Sequence, residues 1–252
     1  MSSLLAVFAH PDDESLAAGG LLAREAAAGT RTAVVTPTWS PDSPRATDLA
    51  ESLRILRAGE PRMLGYADAR APESAPGRQR WLDAPLDEEV GRLVAHLREL
   101  RPEVVVTHDA YGGLTGHPDH LHTHRVTALA VRAAGLGLLY PEAGPAWQPS
   151  ALLLATHPHG ALPALRDLIG ARRALYTVAD EQVTDRLDVT PWLDTKVAAV
   201  LAHRTEVARG ALPGLVAGLS PEERTRLLAT EWYLRRDVSQ PGSGSSSAPA
   251  AR

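Results

Sequence analysis

Short apolar runs alternate with longer helical segments as far as residue 156, and this alternation limits the possible folds more than any other feature of the sequence. The apolar runs predict strands at residues 4–9, 32–36, 62–64, 104–107 and 151–156. Segments of helical composition predict helices at residues 15–28, 47–58, 86–100 and 118–134. Because a strand–helix–strand unit makes its two strands parallel and lays its helix on the sheet, we predict an α/β fold with a mostly parallel sheet and helices on both faces.

The remainder of the chain has a less regular pattern. It predicts a helix at 162–175, an edge strand at 183–189 and a helix at 191–209. Residues 66–85, rich in Pro, Ala and charge, predict a long structureless loop, and such loops are often functional. From residue 239 the sequence is rich in Ser, Gly and Pro, so we predict a disordered tail over 239–252 after a single domain over 1–238.

Composition excludes several classes of site. The chain has no cysteine, so a metal ion could be held only by histidines and carboxylates. A net charge of -4 argues against a protein that binds nucleic acid. No apolar stretch approaches the roughly 20 residues that span a bilayer, and the apolar start of the chain lacks the basic residues of a signal peptide. We therefore expect no membrane span and a cytoplasmic protein.

Two similar motifs each lie between a predicted strand and a predicted helix. The first reads His10-Pro11-Asp12-Asp13 and the second reads His117-Pro118-Asp119-His120. Because the carboxyl ends of parallel strands share one edge of a sheet, where ligands bind in open α/β folds, the two motifs can converge on one site.

The residue types in these motifs suit a metal ion. His10 and Asp13 are three residues apart and can face one point, while His120 can add a second imidazole from the other loop. Two histidines and one carboxylate form a catalytic zinc site that leaves a position open for water, and iron accepts the same ligands. Zinc lowers the pKa of such a water to about 7.

The remaining polar residues of the motifs supply candidates for the other catalytic roles. Asp12 is a candidate general base, although the residues alone do not separate its role from that of Asp13. His117 could donate to the oxyanion or the leaving group. Asp119 could orient His117 or a ligand imidazole.

The paired motifs resemble those of the PIG-L/LmbE-like zinc-dependent N-deacetylases. The resemblance rests on residues 9–14 (Ala-His-Pro-Asp-Asp-Glu) and 116–120 (Gly-His-Pro-Asp-His), and it extends to 45–49 (Arg-Ala-Thr-Asp-Leu) and 202–206 (Ala-His-Arg-Thr-Glu). It implies a Rossmann-like fold and the removal of N-acyl groups, often from molecules that contain N-acetylglucosamine.

The resemblance also implies a role for each matching residue. It assigns His10, Asp13 and His120 to the metal, Asp12 to the general base and His117 to transition-state stabilisation and acid catalysis. Arg45 becomes a substrate contact. Trp39, in a segment that usually carries glycine, could stack on a sugar or fill the loop. Two further departures are Thr115, where members of the mycothiol pathway carry tyrosine, and Glu206, where glutamine is usual; the nearest tyrosine is Tyr111.

These observations favour a zinc-dependent deacetylase, in which iron could replace zinc. The expected substrate is a small N-acylated amino sugar, with no nucleic-acid or membrane partner, and the sequence leaves open whether the protein is a homo-oligomer. A mycothiol S-conjugate-type amidase is the alternative within the same enzyme class. A non-catalytic sugar-binding module is the alternative from another class.

Overall fold

A computed structural model describes residues 3–170 and 174–238 as one seven-stranded sheet covered by helices. The strands are β1 Ser3–Val7, β2 Arg31–Thr38, β3 Arg62–Tyr66, β4 Val104–His108, β5 Ala151–Thr156, β6 Asp185–Asp188 and β7 Thr230–Asp237. The helices are α1 Asp13–Ala27, α2 Pro44–Leu56, α3 Leu86–Leu100, α4 Pro118–Ala134, α5 Leu162–Ile169, α6 Leu193–Ala202, α7 Arg204–Ala208, α8 Leu212–Ala217 and α9 Pro221–Leu228. The predicted tail at 239–252 lies outside the described residues.

The strand order is β3-β2-β1-β4-β5-β7-β6, and it determines where a crevice opens at the edge of the sheet. The first five strands in this order are parallel, and β7 runs antiparallel to both of its neighbours. The chain moves outward from β1 to β3 and then returns to β4 on the other side of β1. This reversal opens a crevice at the carboxyl ends of β1 and β4, the two strands that the His-Pro-Asp motifs follow.

Alternation along β1 divides the core between the two faces of the sheet. Leu5 and Val7 pack with α3 and α4 on one face. Leu4, Ala6 and Phe8 pack on the other face with α1 and α2. Successive side chains of a strand point to opposite faces, so a β1 whose five residues are all buried requires helices on both faces of the sheet. The predicted α/β fold is confirmed.

Three predictions for less regular parts of the chain were wrong. The helix predicted at 162–175 ends at Ile169, because Gly170 adopts φ 100. The loop at 66–85 is not structureless: it contains 3₁₀ turns at Pro72–Ser74 and Trp81–Asp83. The indole of Trp81, 1% exposed, donates to Thr123 Oγ1 at 3.0 Å, so the loop is anchored to the core.

The helix predicted at 191–209 is divided between α6 and α7 because His203 leaves the helical conformation, with ψ 64. The strand predicted at 183–189 is shorter but lies at the edge of the sheet as expected. Helices α8 and α9 and strand β7 were not predicted. Strand β7 reads Thr-Glu-Trp-Tyr-Leu-Arg-Arg-Asp and has no continuous apolar run that would identify a buried strand.

Helix α1 is interrupted at Ala18, where φ is -144. Glu231 on β7 satisfies the backbone there, since its carboxylate accepts the N–H groups of Gly20 and Leu21 at 2.8 and 2.9 Å. The buried Lys196 ammonium donates to the same carboxylate at 2.7 Å. The interruption is therefore held by a buried ion pair from β7 and α6.

No helix within the described residues is both long and apolar enough to cross a membrane.

Candidate metal centre at the carboxyl edge of the sheet

The side chains of His10, Asp13 and His120 converge on one point. His10 Nδ1 lies 3.1 Å from His120 Nε2, and both nitrogens lie 3.2 Å from Asp13 Oδ2. Metal–ligand bonds of about 2.0–2.2 Å in tetrahedral geometry put neighbouring ligand atoms roughly 3.3–3.6 Å apart. The donor set and its spacing therefore fit a zinc or iron ion.

The second nitrogen of each imidazole fixes the ring that carries it. His10 Nε2 lies 3.1 Å from Asp119 Oδ2 and 3.2 Å from Asp68 Oδ2. His120 Nδ1 lies 3.1 Å from the carbonyl oxygen of Gly112. Metal-binding histidines usually use their other nitrogen in this way, which sets the tautomer and leaves the ligand nitrogen free. Of the two orienting roles predicted for Asp119, the structure shows a direct contact with His10.

The electrostatics of this cluster favour a cation. Burial disfavours a charge on His10, but hydrogen bonds to Asp119, Asp13 and Asp68 outweigh it and hold the pKa of the imidazole well above its usual range. Burial alone would raise the pKa of Asp13, yet the neighbouring His120, together with hydrogen bonds from His10 and His108, holds it well below its usual range. The carboxylates that stabilise a protonated imidazole would also stabilise a metal ion.

Asp12 lies beside the predicted metal ligands in an unusual backbone conformation. Its φ is 138, a region that non-glycine residues rarely adopt and that costs on the order of 1–3 kcal/mol. Burial raises the pKa of its carboxyl to about 6, although Arg45 opposes this shift. A carboxylate with a pKa near neutrality suits a general base.

Glu14 maintains the backbone of Asp12, and sequence reasoning did not identify it. Its Oε2 accepts the N–H of Asp12 at 3.0 Å, and its Oε1 accepts the hydroxyl of Ser52 at 2.7 Å. His203 Nε2 lies 2.8 Å from the same Oε1. Because His203 must reach Glu14 from the end of α6, this contact also accounts for the break in the helix predicted there.

His117 caps the N-terminus of α4. Its Nδ1 accepts the N–H of Asp119 at 3.2 Å, so the neutral ring carries its proton on Nε2 and can donate from there. Burial and the neighbouring His10 and His120 lower its pKa to about 4. The His117 and His10 ring centroids are 4.6 Å apart, which places this donor next to the predicted metal ligands.

Arg45 and Trp39 form a stacked pair next to Asp12. The Arg45 guanidinium lies 4.4 Å from the Trp39 ring centroid, 3.1 Å from Asp12 Oδ1 and 3.4 Å from Glu206 Oε1. It also donates to the carbonyl of Pro11. Arg45 is only 3% exposed, and its contacts are with Trp39, Glu206 and the loop that carries Asp12; a contact with substrate stays a prediction. One face of Trp39 is covered by the guanidinium, and both interpretations of Trp39 stay open.

Besides Glu14, two further residues at the site were missed. His108, the last residue of β4, stacks on His120 with ring centroids 4.0 Å apart and accepts the N–H of Ala9 at 3.1 Å. Asp68 reaches His10 from the loop at 66–85. The signal for His108 was its place at a strand end, and the signal for Asp68 was a long loop next to the crevice; neither indicated which side chain would turn inward.

The structure also shows where Thr115 and the nearby Tyr111 lie relative to the predicted metal ligands. Thr115 lines an apolar cavity beside Asp13 and His120. Tyr111 is 50% exposed, and it is not among the residues that line this cavity.

Comparisons with known proteins identify a family and relatives to which this chain is similar. The family profile described as GlcNAc-PI de-N-acetylase (PIG-L) matches residues 5–131. The 1D-myo-inositol 2-acetamido-2-deoxy-alpha-D-glucopyranoside deacetylase of Mycolicibacterium smegmatis is 36% identical in an alignment of 264 positions, gaps counted, that includes 92% of this chain and 89% of the relative.

Two solved structures have a similar fold, and together they show that the fold alone does not identify the reaction. N,N'-diacetylchitobiose deacetylase from Pyrococcus horikoshii matches with a TM-score of 0.64 and 19% identity, covering 93% of this chain and 84% of the other. The 4-carboxy-2-hydroxymuconate hydratase of Pseudomonas putida matches with a TM-score of 0.65 and 17% identity, covering 96% and 100%. Since their names denote different reactions, similarity at this level identifies the fold and not the chemistry.

Proposed function

The chain belongs to the GlcNAc-PI de-N-acetylase (PIG-L) family, and on this premise we propose that it is a metal-dependent hydrolase that removes an N-acetyl group from a small molecule containing N-acetylglucosamine. We assign this activity to residues 1–238. The observation that carries the proposal is the convergence of His10 Nδ1, Asp13 Oδ2 and His120 Nε2 within 3.2 Å of one another, beside a carboxylate and an imidazole that can move protons.

His10, Asp13 and His120 would hold the metal, and zinc is the ion we propose. A zinc ion there supplies Lewis acidity, which lowers the pKa of water and polarises a carbonyl group. Asp68 and Asp119 keep the ligand nitrogen of His10 directed at the ion.

Asp12 and His117 divide the proton transfers. Asp12 accepts the proton of the attacking water, whose oxygen bonds to the acyl carbon. His117, donating from Nε2, stabilises the negative charge that develops on the carbonyl oxygen. The amide C–N bond then breaks, and the nitrogen leaves as an amine after His117 passes to it the proton that Asp12 took from the water. The products are a carboxylate and a free amino sugar.

The comparisons do not favour either alternative. The relative of Mycolicibacterium smegmatis is named a deacetylase and not an S-conjugate amidase. A sugar-binding module would not need three converging metal ligands with a separate base and acid beside them. The substrate we propose is an N-acetylglucosamine linked to a small polyol, the chemistry named for the relative of Mycolicibacterium smegmatis.

The test measures amine release from a substrate panel by the zinc-loaded protein. The panel holds N-acetylglucosamine, its inositol glycoside and an S-conjugate of the amidase type. We expect the inositol glycoside to be deacetylated fastest, with Asp12→Asn as the inactive, metal-loaded control. If the S-conjugate were cleaved fastest, the protein would be an amidase and not a deacetylase. If the substrates bound without amine release, it would be a sugar-binding module.

A further inference from the structure

An apolar cavity of about 120 Å³ adjoins the predicted metal ligands, which we call the metal cluster, and the mechanism above makes no use of this cavity. Asp13, His108 and His120 form part of its wall. Asp12 and Arg45 are not among the described residues that line it. The predicted metal ligands therefore have a polar neighbourhood formed by Asp12 and Arg45, and a separate apolar one formed by the cavity.

The wall away from the metal cluster comes from α5, α8 and α9. It includes the aliphatic side chains of Leu165, Leu168, Ile169, Val216, Leu227 and Leu228. Polar side chains border other parts of the cavity: Lys196 and Glu231 are paired with each other at 2.7 Å, and others are Thr115, Thr156, His157 and Thr230. A sugar hydroxyl buried among the aliphatic side chains would lose its hydrogen bonds with water without adequate replacement, whereas a hydrocarbon group would not.

We propose that this cavity binds the hydrocarbon part of an N-acyl group longer than acetyl, so that the protein is a deacylase for short- to medium-chain N-acyl amino sugars. The inference rests on the proposed function, which puts the scissile carbonyl at the metal cluster. The two substituents of an amide carbonyl carbon diverge from each other. With the amino sugar on the side of Asp12 and Arg45, the acyl chain is directed to the opposite side, where the cavity lies.

The size of the cavity sets the expected chain length. An engineered cavity of about 150 Å³ in another protein holds benzene, so about 120 Å³ corresponds to roughly four or five carbon atoms. The methyl of an acetyl group would occupy only a small part of it. Each methylene moved from water into apolar surroundings favours binding by about fourfold, and this gain should continue until the cavity is full.

The experiment compares N-acyl glucosaminyl-inositols that carry acetyl, butanoyl, hexanoyl and decanoyl groups, using the full-length zinc-loaded protein. We expect kcat/KM for amine release to rise about tenfold or more from acetyl to butanoyl or hexanoyl and to fall at decanoyl, which is too long for the cavity. A steady fall from acetyl onward would overturn the inference and leave the proposed function intact. Absence of amine release from every substrate would overturn both.

A second arm tests whether the cavity binds a different part of the substrate. Octyl N-acetylglucosaminide carries its hydrocarbon chain on the sugar instead of on the nitrogen. If kcat/KM were higher for this compound than for N-acetylglucosamine, and did not rise along the acyl series, the cavity would bind an apolar aglycone. That result would overturn the inference.

Two neighbouring residues of α8 provide a matched pair of variants. Val216 is buried and lines the cavity, whereas Leu215 is 38% exposed and does not line it. We expect Val216→Phe to lower the hexanoyl-to-acetyl ratio of kcat/KM at least tenfold, and Leu215→Phe to leave the ratio unchanged. Leu168→Phe, at a half-buried position on α5, fills the same cavity if Val216→Phe does not fold. An unchanged ratio in a folded cavity-filling variant would overturn the inference.

Discussion

Two clusters of buried charge among the described residues are balanced in different ways. In the first, the Lys196 ammonium lies 2.7 Å from Glu231, whose carboxylate also accepts two backbone N–H groups of α1. In the second, Asp13, Asp68 and Asp119 form ion pairs only with histidines among the described residues. The first cluster contains its own permanent cation, and the second does not.

This difference separates a structural role from a functional one. A buried carboxylate needs a positive partner, and Glu231 already has one. The carboxylates around His10 meet imidazoles that carry charge only when protonated, and the ligand atoms of two of these rings face one point with Asp13. A divalent cation at that point would supply the missing charge. The comparison therefore predicts that loss of the metal and loss of fold stability can be separated by mutation.

The largest expected effect comes from removing the carboxylate ligand. We expect Asp13→Ala to lose its bound metal together with nearly all amine release, because two neutral imidazoles bind zinc much more weakly than two imidazoles and a carboxylate. Elemental analysis after dialysis measures the metal, and Asp12→Asn is the control. If Asp13→Ala retained a full metal complement, the ligand set proposed here would be wrong.

The next effect separates the neighbouring aspartates. We expect Asp12→Asn to keep the metal and lose about 10²–10⁴-fold in kcat, because the attacking water loses its proton acceptor. The measurement is kcat at saturating substrate together with metal content. If Asp12→Asn lost the metal while Asp13→Ala kept it, Asp12 would be the metal ligand and Asp13 the general base, the reverse of the roles proposed here.

The third prediction concerns the balanced cluster. We expect Lys196→Met to lower the free energy of unfolding by about 3–5 kcal/mol, because it leaves Glu231 buried without a cation. Urea denaturation measures the loss, and the metal content of the folded protein should not change. The double variant Lys196→Met/Glu231→Gln should recover part of the stability, since the charge is then removed as well. Loss of metal in folded Lys196→Met would mean that the two clusters are not independent.

The smallest effect lies in the contacts that hold Asp12. We expect His203→Ala to lower kcat by about 10- to 100-fold, because Asp12 then departs from its working position. KM and metal content should stay close to those of the unchanged protein. His203→Gln, which retains a side-chain N–H donor for Glu14, should restore most of the rate. An equal loss in both variants, or a change confined to KM, would argue against this positioning role.

The sequence predicted the elements that its local pattern describes. Helices α3 and α4 and strand β5 have the expected bounds, since each has a clear apolar periodicity or run. The break at His203 could not be predicted, because it depends on a contact with Glu14, 189 residues away. Strand β7 could not be predicted either. Its buried Glu231 looks like a surface residue until Lys196 and the interrupted helix α1 are placed beside it.

The same distinction applies to the candidate site. The sequence by itself determined the fold class, the family, and the two His-Pro-Asp motifs that the chain could place at one edge of the sheet, because strand periodicity and motif spacing are local properties. Only the tertiary structure decided that Asp68 and Asp119 contact His10, that Glu14 and His203 hold the backbone of Asp12, and that an aliphatic cavity lies against the predicted metal ligands. These features depend on which distant side chains meet when the core packs, and no local pattern contains that information.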